Sequence, residues 1–171
     1  RVAPHPGLAV LSGGAHFAYA PQLRARRAKL TYGVSSSLPF RDGIDPDDKL
    51  YTSTRDERFC RNRVTVYATA GQTIRTGDSM THTFGPIEGT VTQLRVGFVA
   101  TRSPAITYDD EPGCYELGAL TVNLTPVMHL PLDERSVIVE MRFGETEIKA
   151  AVTVSATGAR LDHTLDFFYA R

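Results

Sequence analysis

The residues able to do acid–base, nucleophilic or metal chemistry are scattered along this chain. The five histidines are His5, His16, His82, His129 and His163, and none stands two to four residues from another histidine or from a cysteine. That spacing gives no zinc site. Asp45-Pro46-Asp47-Asp48-Lys49 is acidic enough to suggest a calcium loop, but a lysine holds its fifth position and no glycine follows. There is no Gly-x-Ser-x-Gly elbow and no phosphate-loop signature. Ser12-Gly13-Gly14 is glycine-rich but reads better as a helix-packing surface. Cys60 sits among Arg58, Arg61 and Arg63, a setting that lowers a thiol pKa. An ordinary thiol is the plainer reading. Arg55, Arg58, Arg61 and Arg63 could meet phosphates, yet Phe59 and Tyr67 are the few aromatics near them, which weakens a nucleic-acid reading. We expect no catalytic residue, no metal site and no cofactor site in the chain.

The elements are easier to read than the chemistry. Residues 137–168 are the organising stretch. Apolar side chains alternate at Val137, Val139, Met141 and Phe143, and again at Ile148, Ala150, Val152 and Val154. A third run offers Leu161, Leu165 and Phe167. A period of two marks strands with one buried face, and Gly144 and Gly158 fall where turns need positive φ. This predicts a three-stranded antiparallel meander. Its apolar face requires a second layer.

Upstream, residues 7–20 place Leu8, Leu11, Ala15 and Ala18 on one helical face, and Pro21 stops the helix. Residues 24–29 read as a polar connector, and residues 30–34 as a short strand. Residues 35–63 are rich in Ser, Pro and Asp and read as a mobile or separately packed loop excursion. Short strands follow at residues 64–68, 73–75, 80–84, 90–101 and 115–124, with the face of the fourth carried by Leu94, Val96, Phe98 and Ala100. The predicted fold is mainly β: an antiparallel β-sandwich preceded by one short helix.

Formal net charge is zero, which argues against a generic polyanion binder. No apolar run approaches the roughly 20 residues of a membrane helix, so no membrane span is expected. Basic residues gather before position 42 and acids between 42 and 57, read here as a solvated basic edge and a solvated acidic loop. Cys60 and Cys114 are expected as free thiols, with one bridge possible in a secreted protein. Asn123-Leu124-Thr125 is a glycosylation sequon that matters only in that setting. The opening residues Arg1-Val2-Ala3-Pro4 read as the middle of something longer.

Two stretches carry a family resemblance. Residues 6–15, Pro-Gly-Leu-Ala-Val-Leu-Ser-Gly-Gly-Ala, resemble the last helix of the ATPase domain in the seventy-kilodalton heat-shock chaperones. Arg26-Arg27-Ala28-Lys29-Leu30-Thr31-Tyr32-Gly33-Val34 resembles the strand that enters the peptide-binding sandwich. With its arginine pair it is closer to the divergent branch typified by heat-shock protein 12A than to the standard chaperones, and Phe143-Gly144-Glu145-Thr146-Glu147-Ile148-Lys149-Ala150 is similar to that same branch.

The resemblance implies that residues 1–29 end an ATPase domain and its connector, and that residues 30–171 form a substrate-binding sandwich. The implied function is a chaperone-like module that grips extended apolar segments of unfolded polypeptide, in the cytoplasm, as part of a stress-response protein. ATP and magnesium are implied for the parent only. The phosphate loops would lie upstream, and the helical lid of the family would follow the sandwich. The isolated chain is expected neither to hydrolyse nor to bind ATP tightly. Its partners would be polypeptide segments and the rest of its own ATPase domain. In the standard chaperones a short loop helps arch over the bound peptide; the nearest matches to the groove-lining positions here are Phe84, Val91 and Leu94, each of which reads more readily as sandwich core. The alternative is a secreted or structural sandwich with Cys60 and Cys114 paired and Asn123 glycosylated.

Overall fold

Two antiparallel sheets face each other across a continuous apolar core. The computed structural model describes residues 25–144 and 147–165. The helix expected over residues 7–20 and the apolar position Phe167 lie outside the described residues.

In chain order the strands are β1 (Ala25–Arg27), β2 (Thr31–Pro39), β3 (Leu50–Thr52), β4 (Arg58–Ala68), β5 (Thr73–Arg75), β6 (Ser79–Phe84), β7 (Gln93–Thr101), β8 (Cys114–Asn123), β9 (Val137–Phe143), β10 (Ile148–Val154) and β11 (Arg160–Leu165). One sheet has the order β3-β4-β2-β7-β8 and the other β11-β10-β9-β6, while β1 and β5 form a separate ribbon. All pairings are antiparallel. Among the described residues the helical segments are three 3-10 turns, at Asp47–Lys49, Thr125–Val127 and Leu132–Glu134.

The meander forms as its periodicity predicts. Val137, Val139, Met141, Phe143, Ile148, Ala150, Val152 and Val154 are all 0–2% exposed. Antiparallel partners share a face, so Met141 opposite Ala150 and Val139 opposite Val152 build one apolar surface. Leu165 completes it, but Leu161 is 42% exposed although it pairs with Val152. β11 is an edge strand, and its residues from Arg160 to Thr164 are exposed. Gly158 takes φ +71° in the turn before β11, whereas Gly144 does not take positive φ.

The opposing layer supplies Tyr32 and Val34 from β2, Tyr67 from β4, and Val96, Phe98 and Ala100 from β7. Tyr32 meets Phe143 edge-on at 6.0 Å. The Tyr67 hydroxyl donates to the Val139 carbonyl at 2.9 Å and so ties one sheet to the other. At one side the two sheets close where β8 meets β11. There a Cβ on Gly118 would stand 3.0 Å from His163 Nε2, so glycine admits that approach.

Three expectations need correction. Residues 35–63 are not a loop excursion: β2 runs to Pro39, β4 begins at Arg58, and β3 pairs with β4 inside the connection between them. Alternation is weak there because much of this surface is half-buried or exposed, and ladder hydrogen bonds rather than apolar burial hold it. The acidic segment is not wholly solvated either. Asp45 is 5% exposed and accepts hydrogen bonds from the Arg41 amide, the Arg41 guanidinium and the Tyr108 hydroxyl. Lastly, the supposed polar connector is a strand. β1 pairs with β5, and Ala28 and Leu30 are buried at 7% and 6% exposure.

Candidate functional site

The five-stranded sheet is not paired along its whole length. β2 and β7 are partnered from Thr31 opposite Thr101 to Ser35 opposite Gly97. Beyond that point β2 continues to Pro39 beside β4 alone, and β7 extends back to Gln93 beside β8 alone. The two strands part like a fork, and no described strand pairs with either inner edge. Main-chain groups that would otherwise complete a ladder face the opening.

A cleft of about 660 Å³ occupies this fork. Residues 35–38 of β2 and Phe59, Arg61 and Asn62 of β4 form one wall. Leu94, Arg95 and Val96 of β7 form the other, with residues 83–87 and Val91 from the end of β6 and the turn that follows. Leu132, Asp133 and Ser136 close it below. The size suits a few side chains of an extended segment.

Phe84, Val91 and Leu94 come from three places: the last residue of β6, the β6–β7 connection and the second residue of β7. All three are half-buried, pack against the core and line this one cleft. Leu38, Phe59 and Ile87 join them there, although the sequence does not single them out. Each is an apolar residue in a stretch of serine, arginine, proline or glycine, with no periodicity to mark it.

The rim is polar. Arg55 pairs with Glu57 at 2.6 Å and Arg95 with Glu116 at 2.6 Å. The Arg61 guanidinium lies 4.5 Å from the centroid of the Tyr51 ring, a cation–π stack. The two lips of the cleft are joined by one carboxylate. Glu88, in the β6–β7 connection, accepts from the Tyr51 hydroxyl at 2.5 Å, the Thr54 amide at 3.0 Å and the Thr54 hydroxyl at 2.5 Å. The hydrogen bonds from Thr54, then from Tyr51, hold its carboxyl below the usual carboxylate range, and the same contact pushes the Tyr51 hydroxyl up. On its far side the β6–β7 connection is held by Arg135, which donates to the Gly89 carbonyl at 2.8 Å and to the Leu130 and Met128 carbonyls.

The thiols are not part of this site. Cys60 is fully buried, and burial pushes its pKa up despite the nearby arginines, which corrects the activated-thiol possibility. Burial also pushes Cys114 up, to about 11. Both cysteines are free. The Asn123 side chain, at the end of β8, accepts from the Thr125 amide at 2.9 Å. Among the described residues no helix is long and apolar enough to cross a membrane.

No family model matches the chain. It is 29% identical to heat shock 70 kDa protein 12B of Homo sapiens, over 97% of this chain and 25% of that protein. It is 26% identical to heat shock 70 kDa protein 12A of Homo sapiens and to the Mus musculus protein of the same name, over 94% of this chain and 24% of each. The chain thus spans about a quarter of the length of the curated relatives it matches.

Proposed function

We propose that this chain, a divergent relative of the heat shock 70 kDa proteins 12A and 12B, is a polypeptide-binding module that takes extended apolar segments into the cleft between β2 and β7. The observation that carries this reading is the fork itself. A sheet that opens along two unpaired inner edges offers main-chain partners to an added strand, while Phe84, Val91, Leu94 and Phe59 offer apolar contact to its side chains. Strand addition gains affinity from main-chain hydrogen bonds and selectivity from side-chain pockets. Residues 1–29 would end an ATPase domain, and residues 30–171 would be the binding domain. ATP state would then reach the cleft through the β1–β5 ribbon as a free-energy difference between two domain arrangements.

The test is fluorescence anisotropy with a labelled, leucine-rich heptapeptide and the same peptide with its leucines changed to serine. Saturable binding of the first and not of the second is the expected result. Equal binding of both, or of neither, would overturn the reading.

A further inference from the structure

We infer that Glu88 is a latch: its carboxylate joins the two lips of the cleft, and Tyr51 and Thr54 must release it before a polypeptide segment can enter or leave. The inference rests on the strand-capture reading above and concerns its kinetics.

The geometry sets Glu88 apart from Asp45, a carboxylate that anchors the same connection. Asp45 is buried beneath Arg41 and Tyr108, and its contacts hold residues 40–57 to the rest of the fold. Glu88 is half-buried, and the contacts it makes join the β2–β4 connection to the β6–β7 connection. Neighbours of the contact on both sides line the cleft: Arg55 beyond Thr54, and Ile87 before Glu88. Tyr51 also carries the Arg61 stack, so one ring belongs both to the latch and to the wall. Hydrogen bonds to a charged acceptor are stronger than neutral ones. Water can replace them at a half-buried surface site, so the latch opens without unfolding anything else. Since Arg135 holds Gly89 from the other side, releasing Glu88 frees the lip at one end only. That is a hinged opening rather than a melted loop.

Stopped-flow fluorescence of the labelled leucine-rich heptapeptide tests this. In Glu88→Ala both the association and the dissociation rate should rise, the latter by about tenfold, the change expected when about one net hydrogen bond is lost. Tyr51→Phe and Thr54→Val remove partners rather than the carboxylate and should move both rates the same way by less. They also keep the test open if Glu88→Ala folds poorly. Unchanged rates in all three variants, with binding intact, would sink the latch and leave strand capture standing. A fall in the association rate together with a lower melting temperature would make Glu88 a structural brace and overturn the latch. If neither the parent nor any variant binds the peptide, strand capture fails and the latch with it.

Discussion

Residues 137–165 and residues 40–57 are held in place by different physics. In the first, the side chains of β9 and β10 alternate into a core that water does not reach, and each of these two strands is specified by its own pattern. In the second, a single turn of 3-10 helix and a three-residue strand are kept in position by the β3–β4 ladder and by carboxylates: Asp45 under Arg41 and Tyr108, Asp110 beside Lys49, Glu88 across the cleft. Apolar burial is non-directional and scales with area, so it suits a layer that must not move. Hydrogen bonds between loops are directional and each is worth little net, so water can replace them one at a time. The molecule puts its stability in one place and its adjustable contacts in another.

The largest expected effect comes from breaking the rigid side. Met141 is fully buried between Met80 on β6 and Ala150 on β10. Met141→Ala should cost about 2–5 kcal/mol, a sizeable part of the about 5–15 kcal/mol available to a domain of this size. Denaturant unfolding should show the midpoint falling without a change in slope. A loss under about 1 kcal/mol would mean that the meander is not where stability resides.

Next comes the cleft wall. Leu94→Asp should reduce affinity for the leucine-rich peptide by about tenfold or more, because a carboxylate must then be desolvated against the bound segment. The melting temperature should drop less than in Met141→Ala, since Leu94 is only half-buried. If the two variants lost stability equally and the first kept its affinity, Leu94 would be core and not cleft.

Asp45→Asn should act locally. The Arg41 hydrogen bonds hold the Asp45 carboxyl well below its ordinary value. The sign follows: its contribution is complete above the unfolded carboxylate range, about pH 4, and is lost only as pH falls through the lower folded value. Amide exchange in residues 41–49 should therefore stay slow down to about pH 4 in the parent and be fast at neutral pH in the variant, with residues 137–143 unchanged in both. Uniform acceleration across both regions would erase the distinction between them.

The smallest effect should be Arg142→Ala. Arg142 neighbours Met141 but points outward, its side chain 57% exposed and paired with Glu140 at 3.1 Å. Exposed pairs of this kind contribute about 0–1 kcal/mol. Because a slip of one residue would exchange the two faces of β9, a larger loss in Arg142→Ala than in Met141→Ala would show the register to be wrong.

By itself the sequence determined the fold class and the inner face of β9 and β10, because period-two alternation is a local property that survives in whatever layer covers it. It also marked β5 at Thr73–Arg75 and the length of β6 to within a residue. It did not show that Leu161 would be exposed, since that depends on how far the facing sheet extends over the edge strand. Nor did it show β2 continuing through its three serines or Asp45 going into the interior; ladder bonds and a partner as distant as Tyr108 leave no mark in the local pattern. The cleft is the extreme case. Leu38, Phe59, Phe84, Ile87, Val91 and Leu94 line one cleft only because β2 and β7 part beyond Ser35 and Gly97, and Glu88 meets Tyr51 and Thr54 across 37 and 34 residues of sequence. Periodicity records which side of a strand a residue faces. Which strands leave each other, and what then stands between them, is decided only when the sheets pack.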